Sequence, residues 1–239
     1  MVHLLKAALA AGVLLLAPLA VAAQGDTFSP YVSQISPLAP LASPPPRFRP
    51  EWEVPALRWD DHRRDDEWSL VVMQALRGHG SPLLSVVPDD IDTWCPAYRA
   101  AGDNQRAAFW AGMVSSLAWH ESTHREAAVG GGGLWFGLVQ IAPSTARLFR
   151  CNARSGQALL DGASNLRCGL RIMATTVSRD GVVSDGMRGM AADWGPFHSR
   201  TKREDMRDWV IAQDYCQIRD RPMQRPEERF EQAALVATE

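Results

Sequence analysis

Apolar residues between positions 57 and 217 recur at the spacing of helices, and glycines and prolines separate the runs. From Asp66 to Leu76 an apolar side chain returns every three or four positions, and Gly78 and Gly80 follow as stop signals. No stretch alternates with a period of two for long enough to predict a sheet. The pattern therefore predicts a mainly α domain.

A second, longer helix is predicted to begin at Asp103, a good N-cap residue, and to bury Trp110, Val114 and Leu117 on one face. Glu121 follows Trp110 by eleven residues, about three helical turns, and so returns to the same face. Burial there would raise the pKa of its carboxyl group and fit it for general acid catalysis. Periodicity alone supports equally well a glutamate that ends the helix and faces water.

Two further helices are predicted from apolar residues that recur on one face and from their starting signals. Ser164 is a candidate N-cap for an amphipathic helix that ends before Gly181. Thr201 and Glu204 match a capping box, which predicts a last helix that leads to Cys216.

The ends of the chain differ from this helical part. Residues 1–23 combine an early lysine with a short apolar run and small residues, which is typical of a secretory signal peptide, and the run is too short to span a membrane. Residues 24–56 form a Pro-rich linker or tail, 57–218 the domain, and 219–239 a charged tail. We therefore expect an exported, periplasmic protein with no membrane span in its mature form.

Composition narrows the choice of partners. The 239 residues include 25 basic and 27 acidic side chains, a balance that disfavours nucleic acid as a partner. Nine tryptophans fit either a Trp-rich core or a surface that stacks on sugar faces, and both interpretations stay open. Four cysteines in an exported chain predict two disulfides, for which we favour Cys151–Cys168 and Cys95–Cys216 among three possible connectivities.

Four sequence blocks follow one another from the end of the long helix. They are Glu121-Ser122, G-L-V-Q-I-A-P-S-T-A from Gly137, D-G-A-S-N-L-R-C-G-L from Asp161, and A-A-D-W-G-P from Ala191. In these blocks and their order the sequence resembles the soluble lytic transglycosylase family of peptidoglycan-cleaving enzymes. The resemblance covers about residues 110–196 and implies a lysozyme-like helical domain with a substrate cleft.

The resemblance also implies a reaction and a site. Glu121 matches the catalytic acid, which would cleave the bond between N-acetylmuramic acid and N-acetylglucosamine and leave 1,6-anhydro ends, with no metal and no cofactor. The partner would be a peptidoglycan glycan strand. The residues expected to contact it are Ser122, Leu138, Val139, Gln140, Asp193 and Trp194.

Three positions depart from the family pattern. Val139 replaces a methionine, Gly130 stands where a serine is usual, and Ala192 replaces the tyrosine of A-Y-N-A-G-P. The family tyrosine lies beside the catalytic acid, so its loss leaves a second interpretation open. The domain could be a lysozyme-like module that binds peptidoglycan without cutting it.

A third interpretation uses the same glutamate. His120, Glu121 and His124 spell H-E-x-x-H, a helix motif in which two histidines bind zinc and the glutamate is a general base. A third protein ligand is not apparent in the sequence, and the glycines from Gly130 end the helix early. A zinc metalloprotease is therefore the weakest of the three hypotheses.

Overall fold

The computed structural model describes residues 54–218. The predicted signal peptide, residues 24–53 of the Pro-rich segment and the C-terminal tail lie outside this range, so the proposed segment boundaries stay predictions. Within it, no helix has both the length and the apolar character needed to cross a membrane.

The described chain is mainly helical, with two short antiparallel strand pairs, β1–β2 and β3–β4. The helices are α1 (Asp65–Arg77), α2 (Pro82–Ser85), α3 (Asp103–Ser122), α4 (Pro143–Leu148), α5 (Gly156–Leu159), α6 (Gly162–Asp180) and α7 (Arg200–Ile211). The strands are β1 (Val129–Gly130), β2 (Trp135–Phe136), β3 (Ser184–Asp185) and β4 (Arg188–Gly189). The mainly α prediction is confirmed.

Helix α3 lies at the centre of the core, and α1, α2, α6 and α7 all pack against it. The predicted apolar face of α3 is buried, since Trp110, Val114 and Leu117 are all 0 % exposed. Most of the described tryptophans are also buried, whereas Trp119 and Trp135 stay exposed. Most of the described tryptophans therefore contribute to the core, and the indoles of Trp119 and Trp135 are accessible at the surface.

The predicted N-caps of α3 and α6 are each misplaced. Helix α3 is preceded by Gly102, and Asp103 is its first helical residue. Helix α6 is capped by Asp161, whose carboxylate accepts the Ser164 N–H at 2.8 Å. Ser164 is therefore inside the first turn, because Asp161 supplies the acceptor that the free N–H groups of that turn require.

The capping box predicted for α7 is also wrong. Ser199 is the N-cap and accepts the N–H of Lys202, so Thr201 lies inside the helix. Glu204 forms an ion pair with Arg200, one turn earlier, instead of reaching back to a backbone N–H.

Both predicted disulfides are present. Cys95–Cys216 joins the segment before α3 to the end of the described chain, at a sequence separation of 121. Cys151–Cys168 ties the loop after α4 to α6. The two bridges fix the helices on both sides of α3.

Candidate active site

Glu121 lies in the last turn of α3, where the helix ends abruptly. Thr123 and His124 both have left-handed backbone conformations, with φ of 51° and 57°, which turn the chain away from the helix axis. The buried hydroxyl of Ser122 donates to the carbonyl of Ala118 and closes this last turn. The helix end therefore holds Glu121 at the wall of a cleft.

The cleft has a volume of about 620 Å³. Glu121 shares its walls with residues from the segment before α1, the loop after α3, strand β1 and the loop before α4. These lining residues are His62, Arg63, His124, Arg125, Glu126, Ala127, Ala128, Val129, Gly130 and Gln140.

Glu121 has no hydrogen-bond or ion-pair partner within residues 54–218. Its partial burial raises the pKa of the carboxyl group to about 7, against a smaller opposing effect of Lys202. The carboxyl group also lies at the negative end of the α3 dipole, which disfavours a carboxylate. Glu121 is therefore a carboxyl group that can hold a proton near neutral pH and release it.

Gln140 also lines the cleft. Its side-chain amide donates to the carbonyls of Ala128 (3.1 Å) and Gly137 (2.8 Å), and its own backbone is left-handed with φ of 47°. A Cβ atom at Gly130 would lie 2.3 Å from the side-chain oxygen of Gln140, so the glycine allows the amide to approach. The amide is fixed at its nitrogen, and its oxygen is left to accept a hydrogen bond.

Asn165 on α6 holds the G-L-V-Q loop in place. Its side-chain oxygen accepts the Val139 N–H at 2.9 Å, and its nitrogen donates to the carbonyls of Phe136 (2.9 Å) and Leu159 (3.0 Å). Gly137 is close by with φ of 80°, and a Cβ atom there would lie 2.3 Å from the Asn165 amide nitrogen. This buried amide therefore positions the loop that ends in Gln140.

Four of the predicted glycan-contacting side chains are buried and do not line the cleft. Leu138 and Val139 are both 0 % exposed, and Ser122 is 2 % exposed. Trp194 is also buried, and its indole N–H donates to the carbonyl of Val139 at 2.9 Å. These residues support the cleft wall from behind, because their side chains pack into the core.

A second recess adjoins the cleft at Gln140. Trp135, Thr145, Asp193 and Trp194 are among its lining residues. One carboxylate oxygen of Asp193 is buried without a hydrogen-bond partner, and this burial raises the pKa of the group. Asp193 therefore lines the second recess together with Gln140. It does not line the cleft that contains Glu121.

The two histidines of the H-E-x-x-H motif do not face a common site. The helix ends between them, so the spacing of four residues does not place them on one helical face. His120 bonds Asp205 at 2.6 Å, and His124 bonds the carbonyl of Ser115 through Nε2. No group of three potential metal ligands occurs within residues 54–218.

Sequence reasoning missed several residues at the site. Arg63 and Arg125 line the cleft, and Trp135 lines the second recess with 47 % of its surface exposed. The glycine run before Trp135 was a usable signal, since it predicts a tight hairpin that displays the next aromatic residue. The arginines carry no sequence signal.

Ala192 is exposed and offers no hydroxyl group where the family has its tyrosine.

The comparisons with known proteins agree with this geometry. Residues 100–185 match the model of the transglycosylase SLT domain. The solved structure of Bd0314 DslA, wild-type form 2, is 30 % identical with a TM-score of 0.62, over 68 % of this chain and 98 % of that one. Two mutants of the same protein, each with one glutamate replaced by glutamine, are 29 % identical with TM-scores of 0.63. One covers 67 % of this chain and 97 % of its own, and the other 69 % and 99 %.

No match is found among the curated proteins. The family match and the structural similarity both support a lysozyme-like fold. Members of this family are lytic transglycosylases that act on peptidoglycan. The chain belongs to the transglycosylase SLT domain family.

Proposed function

We propose that this protein is a periplasmic lytic transglycosylase and that Glu121 is its single acid and base. The observation that carries the proposal concerns the carboxyl group of Glu121. It lies partly buried in the cleft, has no partner within residues 54–218 and has a pKa of about 7. A general acid works best when its pKa lies near the working pH. The two disulfides and the predicted signal peptide support export.

The reaction needs one carboxyl group in two roles. Glu121 first donates its proton to the glycosidic oxygen between N-acetylmuramic acid and N-acetylglucosamine as the bond from that oxygen to C1 breaks. The resulting carboxylate then takes the proton of the C6 hydroxyl of the same muramyl residue while the C6 oxygen bonds to C1. The product is a 1,6-anhydro end, no water is consumed, and Glu121 regains its proton.

Other groups of the site support this role. The side-chain oxygen of Gln140, in the same cleft as Glu121, is available to accept a hydrogen bond from a sugar hydroxyl or amide. Trp135 presents an exposed indole at the second recess, where a sugar face could stack. Asp193, in that recess, is assigned a contact with the glycan rather than a proton transfer.

The main competing function is glycan binding without cleavage. Ala192 favours it, because the position offers no hydroxyl group to assist the acid. Against it stands the cost of keeping a carboxyl group partly buried without a partner, which binding alone does not require. The two functions differ in their products and are separated by one experiment.

The test is mass spectrometry of purified peptidoglycan sacculi after incubation with the protein lacking residues 1–23. Muropeptides with 1,6-anhydro ends are expected from the wild type and not from Glu121→Gln. Reducing ends would instead indicate a hydrolase, released stem peptides a peptidase, and sedimentation with sacculi without any product a binding module. Addition of a chelator is expected to leave the anhydro products unchanged.

A further inference from the structure

Two arginines line the cleft without a carboxylate partner. Arg63 has an exposed side chain, and within residues 54–218 it makes no hydrogen bond or ion pair. Arg125 is also exposed, and among residues 54–218 its only side-chain bond is from Nε to the carbonyl of Ser122 at 3.1 Å. The neighbouring Arg64 behaves differently, since Glu67 and Glu126 both bind its guanidinium group.

These arginines give the cleft a positive charge that its acids do not cancel. Glu126, the only other acid among the described lining residues, is paired with Arg64, which it shares with Glu67, so a single negative charge faces the two arginines. Glu121 is partly protonated at neutral pH, because its pKa is about 7. A concave site lined by uncancelled positive charge concentrates anions. The charge of this cleft is therefore suited to an anionic substrate.

A guanidinium group presents its N–H donors in a planar fork that matches a carboxylate. The sugar rings and N-acetyl groups of a peptidoglycan strand are uncharged, and its carboxylates all branch from the lactyl ether of the muramyl residue. In the intact wall this branch carries the peptide stem. After removal of the stem, the lactyl group itself ends in a carboxylate.

We infer that Arg63 and Arg125 bind a carboxylate on the lactyl branch of the muramyl residue whose glycosidic bond lies at Glu121. This inference rests on the proposed function and adds a preference for glycan that carries such a carboxylate. Arg63 lies outside residues 100–185, which match the family model, so the preference depends partly on the segment before the matched region.

Binding is measured by calorimetry in the Glu121→Gln background, which makes the result independent of cleavage. Three ligands are compared: soluble glycan strands with intact stems, the same strands after amidase treatment, and chitin oligosaccharides, which lack carboxylates. Arg63→Gln removes the charge and Arg63→Lys retains it. Arg150→Gln is the matched control, since Arg150 is exposed, does not line the cleft and has a side chain without a hydrogen-bond or ion-pair partner within residues 54–218.

Arg63→Gln is expected to weaken binding of carboxylate-bearing strands by about 3- to 10-fold, and the double variant with Arg125→Gln by more. Arg63→Lys and Arg150→Gln should keep most of the affinity. Binding of chitin oligosaccharides should not change. In about 0.5 M salt the difference should shrink, because an exposed ion pair is screened.

The pattern across the ligands identifies the carboxylate. A loss confined to strands with intact stems assigns the contact to the stem, and an equal loss after amidase treatment assigns it to the lactyl carboxylate. No loss on either strand, or an equal loss on chitin oligosaccharides, overturns the inference. If the wild type yields no anhydro products while the charge-dependent loss is observed, the proposed function fails and the carboxylate contact stands.

Discussion

Glu121 and Asn165 are both polar side chains on core helices beside the cleft, and they differ in how their polar atoms are satisfied. Asn165 is 0 % exposed and makes three hydrogen bonds to backbone groups of the loops around it. Glu121 is partly buried and has no partner within residues 54–218. The side-chain oxygen and nitrogen of Asn165 therefore both have hydrogen-bond partners, whereas the carboxyl group of Glu121 has none within residues 54–218.

The difference separates a structural role from a chemical one. A buried amide with satisfied donors and acceptors stabilises a single loop conformation, because every competing conformation leaves polar atoms unpaired. A carboxyl group without a partner destabilises the folded state and has a shifted pKa, which is the property a general acid requires. Asn165 thus positions Gln140, and the raised pKa of Glu121 suits it to the proposed role of acid and base.

The largest expected effect is on catalysis. Glu121→Gln should fold normally and lose about 10²- to 10⁴-fold in the rate of anhydromuropeptide release, since an amide can neither donate an acidic proton nor accept one back. The wild-type rate should fall as pH rises through about 7, because Glu121 must begin the reaction protonated. Product release from sacculi over time measures both.

Glu126→Gln is the matched control in the same cleft. Glu126 is held by Arg64 and its carboxylate also lies 3.3 Å from the backbone N–H of Gly162, so its role is structural. The variant should lose less than about 10-fold in rate. If Glu126→Gln were inactive and Glu121→Gln active, the acid would be misplaced.

The second effect is on stability. Asn165→Ala should lower the free energy of unfolding by about 3–5 kcal/mol, because it removes the side-chain partner of the Val139 N–H and of the Leu159 carbonyl and one of two donors to the Phe136 carbonyl. Urea denaturation measures the loss. Ser178→Ala, an exposed change on the same helix, should alter stability by no more than about 0.5 kcal/mol. A similar small change for Asn165→Ala would show that the loop does not depend on this amide.

The sequence predicted the elements that depend on repeated patterns. Apolar periodicity located α1, α3, α6 and α7, because each helix face averages over many residues. The caps failed because a cap depends on one side chain among several suitable neighbours. Asp161 and Ser164 both qualify at the start of α6, and only the path of the preceding loop decides between them.

The residues of the candidate site also differ in whether the sequence predicts their position. The place of Glu121 in the cleft was predictable, because the family blocks point to that position and the α3 periodicity allows it, and its catalytic role stays a prediction. Neither signal distinguishes a side chain that lines a cleft from one that supports it, so Val139 and Trp194 were expected to contact glycan although both are buried. Arg63 was not predictable, because the folded chain alone brings its segment to the cleft.

The third effect tests the energetic cost of the unpaired carboxyl group. The folded-state pKa of Glu121 is about 7, above its ordinary value of 4.5, so the folded protein holds this proton more tightly than the unfolded chain. Relative to Glu121→Gln, the wild type should lose up to about 3 kcal/mol of stability as pH rises from 4.5 to about 7. Urea denaturation of both proteins across this range measures the loss.

Asn165→Ala provides the comparison for this pH effect. An amide does not titrate, so the loss of stability that Asn165→Ala causes should be the same at pH 4.5 as at about pH 7. A wild-type stability that follows Glu121→Gln in parallel at every pH would show that the Glu121 carboxyl group is not destabilising.

The smallest effect is expected at Asp193, which resembles Glu121 in its raised pKa but, like Asn165, does not line the cleft. One of its carboxylate oxygens is buried without a partner, and burial raises its pKa, but it lines the second recess instead of the cleft that holds Glu121. Asp193→Asn keeps the shape and one acceptor, so the rate of anhydromuropeptide release should fall by no more than about 10-fold, with the loss mainly in KM. Kinetics on soluble glycan strands separate KM from kcat. A loss in kcat as large as that of Glu121→Gln, together with reducing ends in the products of the wild type, would instead make Asp193 the base of a hydrolase that activates water.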